Sequence, residues 1–165
     1  MTDRTDESGK PHATWVVLQN ASAHFEIRAS SWFMAWMTLG VGISMTANPT
    51  MLTGSINAAI YFRHMSELAD QSIWRALFLI VGISRLMALT INGSFPAFRW
   101  TPHIRFFMSC LSAMLWANVA YSVIGGLPTI GTVVYPFLIL VEVHNAVQAF
   151  RDVRGWGDRY GRERA

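Results

Sequence analysis

Two ionisable residues, Arg85 and Glu142, stand deep inside the apolar runs WRALFLIVGISRLMALTI and PTIGTVVYPFLILVEVHNAVQAF. Each run is long and greasy enough to cross a bilayer, for which about 20 residues are needed. A charge at mid-depth costs roughly 2.5–3.5 kcal/mol on insertion scales unless it finds a partner. Opposite signs offer each other that partner, and two chemistries then lie open. The pair can neutralise itself and clasp two helices together, or the carboxylate can bind and release a proton or cation beside a fixed positive charge. A guanidinium keeps its proton, so any ion handling falls to Glu142.

Other polar residues extend this candidate seam. Asn145 follows Glu142 by three residues and shares its helical face, whereas His144 points elsewhere. Asn118 in a neighbouring run and Ser84 beside Arg85 carry groups suited to hydrogen bonds across a membrane bundle. Nucleophile, phosphate-loop and zinc motifs are absent, so a non-enzymatic protein is expected. A membrane haem needs two His at facing depths, and only His144 falls within a span. No cofactor is therefore expected. His64, Glu67 and Asp70 have helical spacing, but an exposed polar face accounts for them more simply than a metal does. Cys110 is the single cysteine, which excludes an internal disulfide and reads as a small packing residue.

The elements that must position these groups follow from composition. Hydrophobic residues make up 52% of the 165 and charged residues only 14%, where a soluble domain carries about a quarter charged. The apolar residues come in blocks, which points to spans rather than amphipathic surface helices. Four blocks reach spanning length: residues 29–47, 73–91, 104–124 and 130–150. Asn48-Pro49, Asn92-Gly93, Pro102, Gly125-Gly126 and Pro128 punctuate their boundaries. Pro136 lies inside the last and is expected to kink it, which membrane helices tolerate. Residues 55–70 place Ala58, Tyr61, Phe62, Met65, Leu68 and Ala69 on one helical face, with Arg63, His64, Glu67 and Gln71 on the other. That pattern predicts an amphipathic helix lying in the interface, with a less regular one over 14–27. Merging 50–62 into a fifth span would give only 13 residues, too few.

Basic residues set the orientation. With the N-terminus cytoplasmic, Arg4, Lys10, Arg28, Arg99, Arg105, Arg151, Arg154, Arg159, Arg162 and Arg164 are inside, against Arg63 and Arg75 outside. Both termini are then expected in the cytoplasm. The spans holding Arg85 and Glu142 run the same way, and each charge lies 12 residues past the start of its span. At about 1.5 Å per residue, both sit roughly 18 Å below the outer boundary. Gly40, Gly42 and Ser44 in the first span and Gly82 in the second are small enough for close helix approach. The tail, with Arg151, Arg154, Trp156, Arg159, Tyr160 and Arg162, suits an anchor at the inner leaflet, its rings at headgroup level. A net charge of +3 gives no reason to expect nucleic acid. The acidic start MTDRTDESGKPH is unlike a cleavable signal peptide, so the first span reads as a retained anchor.

The segments RLMALTINGSFP, TPHIRFF and YPFLILVEVHNAVQAFRDV resemble a pattern in small multi-pass membrane proteins encoded by tailed bacteriophages, over roughly residues 73–153. The resemblance implies a viral protein in the inner membrane of a bacterial host. The expected organisation is an all-α integral membrane bundle of four transmembrane helices, with an interfacial amphipathic helix between the first and second. A polar segment 1–28 precedes the bundle at 29–150, and a basic tail 151–165 follows. The leading functional expectation is a membrane effector, holin-like or altering the envelope, although four spans exceed the usual holin pattern of one to three. A small transporter or channel subunit using Arg85 and Glu142 is the alternative, and a structural module binding a protein partner a third. Expected partners are the lipid bilayer and either a second copy or another membrane protein.

Overall fold

A computed structural model describes residues 28–94, 100–126 and 128–162, excluding the side chains of 92–94, 101 and 155–162. The segment 1–27, with its expected interfacial stretch 14–27, lies outside the described residues. Six helices follow in order among the described residues: α1 (Ala29–Ala47), α2 (Ile56–Tyr61), α3 (Arg63–Leu68), α4 (Gln71–Ser94), α5 (Thr101–Ile124) and α6 (Gly131–Arg162). Among the described residues there is no strand.

The four long helices form an up-down-up-down bundle, α1 lying on α4 and α5 on α6, with α4–α5 and α6–α1 closing the ring. Glycine lets α1 and α4 approach closely at their seam. A Cβ on Gly82 would stand 2.7 Å from the Leu39 backbone, and one on Gly42 2.9 Å from the Leu79 nitrogen. Gly40, two residues away, faces open space. Ser44 is exposed. Of the four small residues read as approach points, only Gly42 and Gly82 lie in the seam.

One half of the bundle is aromatic and sulfur-rich. Phe78 meets Trp116 edge-on at 5.9 Å, and Trp116 stacks on Tyr135 at 6.0 Å. Met34, Met45, Leu115, Val119 and Leu138 pack in the same cluster. Large apolar side chains also cover the outside, with Trp36, Ile80, Met114, Phe137 and Leu140 each more than half exposed. Such an exterior is unfavourable in water and favourable in lipid.

The link from α1 to α4 caps the end next to this cluster. Where one amphipathic helix was expected over 55–70, the chain forms two short helices broken at Phe62. Met65, on the apolar face, is fully buried against the bundle, and its N–H donates to Ser122 Oγ at 3.2 Å. Trp74 Nε1 donates to the Met65 carbonyl at 2.8 Å. Leu68, expected on the same face, is exposed. Gln71, read as part of the polar outer face, instead staples the link. Its Nε2 donates to the Met45 and Asn48 carbonyls at 3.2 and 2.6 Å, and its Oε1 accepts from Leu52 N–H at 3.0 Å. The Met45 carbonyl at the end of α1 finds a donor this way, and the Asn48 carbonyl, which already accepts from Met51 N–H, gains a second.

Among the described residues, three helices are long and apolar enough to cross a membrane: Gln71–Ile91, Pro102–Ile124 and Gly131–Arg154. α1 has 19 residues and no ionisable side chain, but it does not join them on hydropathy. Its Ser, Thr and Gly content is the reason, and several of its hydroxyls turn inward. α6 passes Pro136 without ending and runs through Arg162, so much of the sequence expected as a separate tail continues the last helix.

Candidate functional site

Arg85 on α4 and Glu142 on α6 form a salt bridge at the centre of the bundle, the arginine 4% exposed and the glutamate 0%. α4 and α6 are diagonal neighbours in the ring, so long side chains rather than backbone contact join them. Glu142 Oε1 accepts from Arg85 Nη1 and from Ser112 Oγ on α5. Its Oε2 accepts from Asn145 Nδ2 at 3.4 Å. Asn145 is also fully buried, and its Oδ1 accepts from Ser30 Oγ on α1 at 2.7 Å. Thr38 of α1 lies 3.3 Å from Ser112 across the other diagonal. Its single hydroxyl proton serves either Ser112 or the Met34 carbonyl, 2.8 Å away. All four long helices thus contribute to one polar node.

The electrostatics are those of a closed circuit. The carboxylate receives donors on both oxygens, which is what a buried anion requires. The guanidinium faces a cavity of about 10 Å³ bounded by Ser31, Ser109 and Arg105, room for one water at most. Toward the Met65 end, Phe78, Trp116 and Leu138 fill the space. Trp116, 1% exposed, leaves its indole N–H without a hydrogen-bond partner.

Of the residues singled out in the sequence, Arg85, Glu142 and Asn145 come together. Asn118 does not join them, since its Nδ2 donates to the Met114 carbonyl of its own helix at 2.9 Å. Ser84 is half-buried on α4 and takes no part in the node. Arg151 and Arg154 are exposed near the end of α6, Arg154 placing its guanidinium 6.0 Å above the Phe150 ring. The side chains of Trp156, Arg159, Tyr160 and Arg162 lie outside the described residues. Ser112, Thr38 and Ser30 were missed. A serine or threonine in an apolar run marks itself only by its hydroxyl, and which way it faces depends on helix rotation.

A second polar cluster, also missed, closes the bundle at its other end. Asp152 Oδ2 accepts from Arg105 Nη1 at 2.8 Å and from Arg28 Nη2 at 3.1 Å, drawing α1, α5 and α6 together. The Arg105 side chain is only 5% exposed. Burial, and then Arg105 beside it, push the Arg28 pKa down from its ordinary value, while Asp152 raises it. Compared with protein-family models, curated proteins and solved structures, the chain matches none.

Proposed function

We propose that this chain is a four-span integral membrane protein of a bacterial inner membrane, both termini cytoplasmic, whose central charge pair clasps the bundle rather than carrying ions. The supporting observation is that Glu142 is fully buried and every partner it has is internal, beside a cavity of about 10 Å³. Polarity turned inward and apolar side chains turned outward are what lipid selects. α1 belongs with the spans on this reading. Ser30 and Thr38, which lower its hydropathy, are consumed inside the bundle, while Phe33, Trp36 and Ile43 face out. The orientation rests on the basic residues gathered at the Arg28 end.

The activity we assign is that of a non-enzymatic membrane effector, phage-encoded, permeabilising the membrane in holin-like fashion or modifying the envelope. Its interactions are with the bilayer and with further copies or a membrane partner through the apolar outer faces. Inducible expression in bacteria, followed with a membrane-potential dye, tests this. Growth should stop abruptly as the potential collapses. Unperturbed growth and potential at high expression would overturn the holin-like assignment.

One observation favours a second reading, a small transporter or channel subunit. Ser31, Ser109 and Arg105 continue the polar path from Arg85 toward the Arg28 end. In proteoliposomes that reading requires proton-coupled flux, lost in Glu142→Gln with insertion and folding intact.

A further inference from the structure

Among the described residues, the Arg28 end holds more positive charge than its partners neutralise. A pocket of about 170 Å³ there is lined by Arg28, Arg105, Arg151, Gln148 and Asp152. Three guanidinium groups face one carboxylate, an excess of two positive charges. The single Asp152 oxygen Oδ2 already serves both Arg28 and Arg105. Arg28 Nη1 is buried and has no hydrogen-bond partner among the described residues. A buried charged donor in that state carries a desolvation cost that no described residue offsets. The N-termini of α1 and α5 open at the same end, beginning at Ala29 and Thr101. The C-terminus of α4 closes at the same end at Ser94 and opposes these dipoles, so the positive charge there is that of the guanidinium groups. An anion with several acceptor oxygens would match these donors.

We infer that this pocket is an anion site that binds a phosphate group, the headgroup phosphodiester of an anionic phospholipid being the source within reach. Arginine forks match phosphate oxygens in bidentate geometry, which carboxylate-poor clusters of this kind favour. Arg28 Nη1 and the exposed Arg151 supply the free donors, Gln148 a neutral one, and Asp152 holds Arg28 and Arg105 in place. Basic pockets between membrane helices on the cytoplasmic side take up anionic headgroups in this manner. The lipid source rests on the membrane reading above, whereas the phosphate site rests only on the pocket.

Thermal unfolding of the purified full chain separates the sources. The arms are neutral detergent alone, detergent with phosphatidylcholine, detergent with phosphatidylglycerol, and detergent with inorganic phosphate against chloride at equal ionic strength. Phosphatidylglycerol near a hundredfold excess over its Kd should raise Tm by about 5 °C or more above phosphatidylcholine. Arg151→Gln, an exposed position with no part in the fold, should weaken the apparent affinity about tenfold. Arg28→Gln should do at least as much where it folds. A rise with inorganic phosphate but no preference between the two lipids, still reduced by Arg151→Gln, keeps the phosphate site and assigns it to a free anion. No rise in any arm, or one that Arg151→Gln leaves untouched, overturns the site. Recovery of the chain as a dissolved monomer without detergent overturns the membrane reading, and the inorganic phosphate arm then judges the pocket alone.

Discussion

Removing the charge of Glu142 should cost this protein far more than removing the charge of Arg85. Glu142→Gln keeps the side chain's volume and its acceptor for Ser112, but leaves Arg85, 4% exposed, as an uncompensated cation among apolar helices. Breaking a buried pair from one side costs about 3–5 kcal/mol. At about 2–4 °C per kcal/mol for a chain of this size, Tm should fall by about 6–20 °C. The reverse change, Arg85→Met, leaves a carboxyl group that retains Ser112 and Asn145. Such a group can also neutralise itself by taking up a proton, which a guanidinium cannot mirror by losing one. Its loss should be less than half as large. The double variant carries no buried charge, and its Tm should return to within about 5 °C of the parent. Intrinsic tryptophan fluorescence during thermal unfolding in neutral detergent measures all four proteins. Additive losses in the double variant, or a milder Glu142→Gln than Arg85→Met, would refute the clasp. A single variant that loses flux but no stability would favour the transporter.

Three further expectations follow from particular contacts. Gly82→Ala must push α1 from α4, because the new Cβ would meet the Leu39 backbone at 2.7 Å; a loss of about 1–3 kcal/mol is expected. Gly40→Ala meets nothing within 4 Å and should gain up to about 1 kcal/mol from helix propensity, a contrast that unfolding of the two variants reads directly. Ser112→Ala deletes a donor to the buried carboxylate and the contact with Thr38. It should cost about 1.5–3 kcal/mol, and equal stability to the parent would remove Ser112 from the node. Gln71→Ala removes the side-chain partners of the Met45 carbonyl and the Leu52 N–H, while the Asn48 carbonyl keeps Met51 N–H, for about 1–3 kcal/mol. Faster amide exchange at Leu52 is its local signature.

Arg85 and Glu142 could be placed at one depth from sequence because the quantities involved are local. A helix rises a constant distance per residue, the spans are bounded by Pro, Gly and Asn, and each charge lies 12 positions into its span. The α1 boundaries, Ala29–Ala47, were legible for the same reason. Apolar blocks set against little charge likewise mark three helices, among the described residues, able to cross a membrane.

Rotation of each helix about its axis and the order of helices around the ring are not local. They decide that Ser112 and Thr38 face Glu142 while Asn118 turns back to its own backbone. They also bring Arg28 and Arg105 to Asp152 from helices 124 and 47 residues away in the chain. The close fit of Gly42 and Gly82 against α4 and α1 sets one such rotation, and a hydroxyl's facing follows from it. The link before α4 shows the same division. Its apolar face was written in the residues, but only the end of the packed bundle offered Met65 a place deeper than a membrane surface.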